Sequence, residues 1–228
     1  VAVILAVAHL FVLGLDFPLL WSPFLAIGFI LWRVVSADFG VAAKPFIVCE
    51  VKSPAKDIVE VLLKPLSHAI DARPGQFVLA AFYDGPHFHG CREFHPFTIS
   101  ALGSHGELSL GIKALGDCTQ HLQSLERGVS ARIHGPFGDF LSEQPSGPGL
   151  WIAGGIGITP FLARLRAGQP DHPARLIYLY RTEEDAAYLH ELQTFAHSYA
   201  NFSLTARESG TTAPPFLEII PATSELLG

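Results

Sequence analysis

Leu150-Trp151-Ile152-Ala153-Gly154-Gly155-Ile156-Gly157-Ile158-Thr159-Pro160 decides the fold: an apolar run breaks into a glycine loop, and Thr-Pro then opens a helical stretch. Glycines at the carboxyl end of a strand let a diphosphate approach the backbone, and proline suits the first helical position after a threonine cap. Gly154, Gly155, Gly157, Thr159 and Pro160 therefore read as a pyridine-nucleotide cradle. The spacing differs from G-x-G-x-x-G, which argues against a Rossmann dehydrogenase. Downstream the rhythm repeats, with a strand at 175–180, a helix at 183–197 and a strand at 201–206. The prediction is an α/β parallel-sheet NAD(P)-binding domain over 147–228. Arg181 and Arg207 follow the second and third strands at the binding edge of such a sheet. Arg207 either meets a ribose 2′-phosphate or is a solvated loop charge, so NADPH and NADH both stay open.

Upstream of Pro145-Ser146-Gly147-Pro148 the pattern changes to short strands spaced by Gly and Pro, at 46–52, 58–63, 76–82, 98–101, 107–114 and 129–134. Ser53-Pro54-Ala55-Lys56 marks the first turn and Pro74-Gly75 a type II turn. This is the signature of a small closed all-β barrel, assigned to 39–146. In Leu110-Gly111-Ile112-Lys113-Ala114-Leu115-Gly116-Asp117-Cys118-Thr119, Lys113 projects from the strand face opposite Leu110 and Ile112, and Gly116-Asp117 then opens a helix. Lys113, Gly116, Cys118 and Thr119 converge on a place suited to a dinucleotide pyrophosphate, while Asp117 with Gln120 also fits an ordinary capping box.

The first 38 residues read differently. No charged residue occurs over 1–15 or 17–32, and Asp16-Phe17-Pro18 stands between as a turn. At 1.5 Å per residue the first run reaches about 22 Å, and residues 17–35 with Arg33 snorkelling about 28 Å, of a hydrocarbon core of roughly 30 Å. The expectation is a transmembrane helical hairpin in contact with membrane lipid. Arg33, Lys44, Lys52 and Lys56 follow it, which predicts an integral membrane protein with its body on the cytoplasmic side. His9, ionisable and inside an apolar run, is a functional suspect.

A net charge of −6 and a pI near 6.0, without a dense Lys/Arg run, exclude a nucleic-acid binder. A hydrophobic share of 49% against 16% charged residues excludes disorder. Cys49, Cys91 and Cys118 are odd in number and lack a C-x-x-C pair, so reduced thiols are expected instead of a disulfide framework or a structural zinc site. His87, His89, Cys91 and His95 nevertheless offer imidazole and thiolate ligands within one loop.

Four motifs stand in order: Arg73-Pro74-Gly75-Gln76-Phe77, His95-Pro96-Phe97-Thr98-Ile99-Ser100, Gly135-Pro136-Phe137-Gly138 and the 154–160 loop. Together they resemble the ferredoxin-NADP reductase superfamily, and His-Pro-Phe-Thr resembles its membrane branch, the ferric reductases and NADPH oxidases. The resemblance implies an FAD-binding barrel. Along the flavin it would set His95, Pro96, Phe97, Thr98, Ile99 and Ser100, with Phe97 as ring contact and Thr98 as the hydroxyl near the reactive ring nitrogen. Gly135 and Pro136 would line the same cofactor. It further implies hydride transfer from NAD(P)H to FAD, then single electrons passed through haem to ferric iron or oxygen, with His9 as one haem iron ligand. A haem-free tethered FAD reductase serving a soluble partner is the alternative, and a non-enzymatic metal module at His87–His95 a second. Relatives usually continue into a strand ending in Cys-Gly-Pro; that tripeptide is absent, the chain begins at Val1 and it has no Met, so a fragment is expected.

Overall fold

The computed structural model describes residues 24–31, 42–141 and 147–210. The chain divides into two compact units, Val1–Ala43 and Lys44–Gly228. In the first, residues 24–31 are helical. Among the described residues no helix is long and apolar enough to cross a membrane. This corrects the predicted integral-membrane localisation. The rest of the expected hairpin, with His9 and the haem ligation assigned to it, lies outside the described residues.

The second unit opens with six antiparallel strands: β1 (Lys44–Ala55), β2 (Ile58–Pro65), β3 (Phe77–Phe82), β4 (His95–Leu102), β5 (Leu108–Lys113) and β6 (Ser130–Phe137). They close in the order β1-β2-β5-β4-β3-β6. Alternation along the strands fills the barrel with Phe46, Val48, Val78, Ala80, Phe82, Leu110 and Ile133, all buried, and closure leaves no sheet edge. The first turn differs from expectation. Strand β1 runs on to Ala55, which pairs with Ile58, so the turn is Lys56-Asp57, with Asp57 in the left-handed region.

The expected turn at Pro74-Gly75 forms. The Gln76 N–H donates to the Arg73 carbonyl at 3.2 Å, and Gly75 sits at φ +91°. A Cβ on Gly75 would lie 2.8 Å from both Leu141 Cβ and its backbone nitrogen. Gly75→Ala is therefore expected to cost about 1–3 kcal/mol from backbone strain and overpacking, read as a lower urea midpoint at unchanged slope.

After a short helix α1 (Asp117–His121) and β6, the chain builds a parallel sheet, β7 (Gly149–Gly154), β8 (Ala174–Tyr180) and β9 (Phe202–Glu208). Helices α2 (Thr159–Arg166) and α3 (Leu189–Ser198) accompany it. The single helix expected over 183–197 is broken. A 3₁₀ turn at Glu183–Asp185 and a left-handed Tyr188 (φ 62°) delay α3 to Leu189. Helix α2 packs against β4, and Ile58 of the barrel joins the core of the parallel unit. The two halves thus share an interface.

Candidate functional site

Strand β4 carries the His-Pro-Phe-Thr motif, and its alternation sorts the predicted residues onto two faces. Phe97, expected as a ring contact, is 7% exposed inside the barrel, edge-on to Phe82 at 6.4 Å. Ile99 is fully buried in the same core. Ser100 is buried as well, and its hydroxyl donates to Glu60 Oε1 at 2.5 Å. These three face the interior or the interface. Pro96 is exposed and Thr98 half-buried on the outer face, where they pair with Leu79 and Phe77. Phe77 lies 5.6 Å from Phe137, whose ring meets His134 edge-on at 4.9 Å. Phe77, Phe137 and His134 thus extend a partly apolar platform beside Thr98. The sequence signal was present for Phe77 and His134, each next to a core residue of its strand (Val78 and Ile133), whereas Phe137 follows the half-buried Gly135-Pro136 and carries no such alternation. Gly135 and Pro136, joined by a cis peptide, are half-buried on β6 just before Phe137.

Lys113 ends β5, and its ammonium lies 3.8 Å from where a Cβ on Gly155 would stand. The fold therefore brings together the predicted pyrophosphate lysine and the predicted nucleotide loop, 42 positions apart in sequence. Just beyond Lys113, the Leu115 and Gly116 N–H groups both donate to Thr119 Oγ1 at 2.9 Å, and the hydroxyl donates to the Gly116 carbonyl at 3.0 Å. The cap is thus Gly116 with Thr119, in place of the Asp117 and Gln120 pairing that the sequence offered. Thr119 is committed to this turn.

The glycine loop leaves the carboxyl end of β7 as a 3₁₀ turn, Gly155–Ile158. A Cβ at Gly154 or Gly157 would meet nothing within 4 Å, and Gly155 has φ +50°. Open space in front of a backbone that only glycine follows easily fits the diphosphate of a pyridine nucleotide. Thr159 departs from expectation: it is the first residue of α2, 3% exposed, and its hydroxyl donates back to the Ile156 carbonyl at 3.0 Å. Its methyl faces Gly111 of the barrel, where an added Cβ would come within 2.9 Å of Thr159 Cγ2. Pro160 follows in the first turn of α2. Arg181 is exposed and paired with Asp185 at 3.1 Å, while Arg207 lies near the carboxyl end of β9, beside Leu179 of β8.

A cluster that sequence reading missed bridges the halves. Arg166 of α2 donates to Glu60 Oε1 of β2 at 2.7 Å and Oε2 at 3.2 Å, to Glu191 of α3 at 2.7 and 2.8 Å, and to the Ser100 carbonyl at 3.3 Å. It also lies 5.4 Å from the Tyr188 ring centre. Burial by itself would lower the arginine's pKa; the hydrogen bonds it donates to Glu191 and Glu60 outweigh it and the pKa is raised. No short-range pattern announces a contact between residues so far apart in sequence.

The predicted metal loop is rearranged. His87 pairs with Glu126, Nδ1 to Oε2 at 3.3 Å, and its N–H donates to the same carboxylate, holding the Glu126 pKa below its ordinary value. His89 Nδ1 is 3.9 Å from Asp84. Cys91 is joined to Cys118 by a disulfide, with Cα atoms 6.0 Å apart, which corrects the expectation of reduced thiols at those two positions. Cys49 is free and half-buried. Phe88 stacks on His121 at 4.8 Å and His121 hydrogen-bonds the His89 carbonyl, so the 83–94 loop is folded onto α1. His95 Nε2 is buried and makes no hydrogen bond.

A closed barrel with a platform on β4, set against a parallel sheet whose glycine loop opens at its carboxyl edge, defines the class of two-domain flavin oxidoreductases. Residues 43–148 match the family model described as FAD-binding domain, and residues 151–216 the one described as oxidoreductase NAD-binding domain. The chain thus carries an FAD-binding domain followed by an oxidoreductase NAD-binding domain, with FAD and NAD(P)H as its cofactors, a pairing that supports the ferredoxin-NADP reductase superfamily. It is 34% identical over 139 residues to the toluate 1,2-dioxygenase electron transfer component of Pseudomonas putida, covering 58% of this chain and 40% of that protein. In fold it is similar to the flavohem-like FAD/NAD binding domain of nitric oxide dioxygenase from Vibrio cholerae, with a TM-score of 0.63, 18% identity and coverage of 75% and 76%. The likeness to dual oxidase 2 of Rattus norvegicus is 36% over 87 residues, 34% of this chain and 6% of that protein. The superfamily is therefore supported, while the match to a member of its ferric reductase and NADPH oxidase branch is partial. The chain spans less than half the length of the first curated relatives it matches.

Proposed function

We propose that the chain transfers a hydride from NAD(P)H to FAD and passes the electrons on to a separate acceptor protein, the haem-free alternative of the sequence reading. The observation that carries it is the approach of Lys113 to the glycine loop, which sets the barrel's flavin-facing strands beside the nucleotide cradle. The toluate dioxygenase electron transfer component supports an acceptor protein as the destination. When bound, FAD takes two electrons as a hydride and gives them up one at a time.

The protein's contribution is position and charge. Phe77 and Phe137 offer flat apolar contact to the isoalloxazine, and Pro96 keeps β4 free of a competing N–H there. The Thr98 hydroxyl hydrogen-bonds at the ring's reactive edge. Lys113 and the turn at Gly116 and Cys118 neutralise and orient the FAD diphosphate. Gly154, Gly155 and Gly157 admit the nucleotide diphosphate, with Arg181 and Arg207 at the same sheet edge. Direct delivery to ferric iron or oxygen is a second reading, favoured by the dual oxidase match.

Purified chain supplied with FAD is expected to retain it with a flavin absorption spectrum, and anaerobic NADH or NADPH to bleach that spectrum. Reoxidation is expected to be fast with a ferredoxin-type or cytochrome acceptor and slow with a ferric chelate or air. Chain that retains no flavin, or flavin that neither nucleotide reduces, would overturn the reading.

A further inference from the structure

We infer that Cys91, His95 and Cys118 form a zinc site in the thiol-reduced protein, and that the Cys91–Cys118 disulfide is the metal-free oxidised form of that site. The three ligand atoms lie within 4.8 Å of one another although they come from a loop, the first residue of β4 and helix α1. Two thiolates and an imidazole are a soft donor set that suits tetrahedral zinc, with one position left for water. Ligands at about 2.3 Å for sulfur and 2.0–2.1 Å for nitrogen stand roughly 3.5–3.8 Å apart in a tetrahedron. Once the S–S bond is broken, side-chain rotation alone would bring the sulfurs to that separation.

Two further observations support a preformed site. The first is the second attachment of the loop to α1, the Phe88–His121 stack and the His121 bond to the His89 carbonyl, which keeps Cys91 facing Cys118 without the covalent link. The second is His95 Nε2, buried and without a hydrogen bond, the nearest carboxylate oxygen, Glu93 Oε2, being 3.6 Å away. A buried imidazole nitrogen without a partner is costly to leave unmet, and a metal satisfies it. His87 and His89 are not ligands, because Glu126 and Asp84 engage them.

The chemistry balances without a hidden reagent. Zinc binding replaces two thiol protons, which pass to solvent, and moves no electrons. Oxidation to the disulfide passes two electrons and two protons from the dithiol to an added low-molecular-weight disulfide, which leaves as two thiols, and any bound zinc is released as the free ion. The reverse step takes both electrons from an added phosphine, which leaves as phosphine oxide with oxygen from water.

The test uses the full chain, with and without FAD, reduced by a phosphine and then freed of it. Zinc is titrated against a chromophoric chelator, and Co²⁺ is used as a spectroscopic probe. Expected are one zinc per reduced chain, thiolate-to-cobalt charge-transfer absorption, and no binding after reoxidation to the disulfide. His95→Ala should weaken zinc by about tenfold or more, since even an outer-sphere partner is worth that much. Cys91→Ser and Cys118→Ser should lose the charge-transfer band, with far-UV circular dichroism to confirm folding. Because the oxidised arm needs no substitution, a variant that misfolds does not remove the test. Reduced chain that takes up no zinc, or equal zinc on disulfide and dithiol chain, would overturn the inference. Zinc uptake does not depend on nucleotide or flavin, so its failure and failure of the reductase reading are separate results.

Discussion

Arg166→Ala is expected to destabilise the folded chain by about 3–5 kcal/mol, the range for removing one partner from a buried ion pair. Its side chain is 21% exposed and that of Glu60 10%, so deletion strands a carboxylate away from water. Glu191, at 35%, recovers more solvent and contributes less. Most of the cost therefore comes from the Glu60 charge, left with the Ser100 hydroxyl in place of a cation, and adding Glu60→Gln to Arg166→Ala should recover part of it. Urea unfolding of the two single variants and the double variant measures the coupling. Arg166→Lys should fall between, because one ammonium cannot reproduce the two-pronged contacts to both carboxylates. Strictly additive losses would mean that Arg166 and Glu60 do not act as a unit.

Lys113→Ala is expected to weaken FAD binding by about 1.5–3 kcal/mol, the range for hydrogen bonds to a charged group, or roughly ten- to over a hundredfold in Kd. Because the ammonium stands beside Gly155, the same variant should also raise KM for the nicotinamide cofactor. Flavin fluorescence titration reads the first effect and steady-state kinetics at saturating FAD the second. An unchanged flavin Kd with a raised KM would move Lys113 from the flavin to the nucleotide.

Much of the barrel and the parallel sheet was legible because strand alternation and glycine punctuation are local signals. All six barrel strands were placed near their observed bounds, and the strand-loop-helix at 150–160 formed. Side-chain roles were less legible, for a geometric reason. In a motif such as His-Pro-Phe-Thr the neighbouring residues point to opposite faces, and which face is core depends on the register of β4 against β3 and β5. Phe97 went inward on that account. The Cys91–Cys118 pair and the Arg166 cluster depend on contacts across 27 and 106 positions, which periodicity does not encode. The cap at Gly116 was misread because Thr119 Oγ1 can reach two N–H groups at once, an option that a residue-by-residue pattern does not rank.

Gly111 has a consequence for how such chains can be recombined. Its missing side chain lets Thr159, Ile156 and Tyr188 rest directly on β5, with Glu60 waiting one strand away for an arginine. A chimera that keeps this barrel and imports the nucleotide half of a relative would inherit a fitted seam only if the donor helix ends in arginine and its loop is as slim as this one. The inheritable unit is therefore the matched pair of surfaces, and a crossover in the 142–148 segment divides a lock from its key.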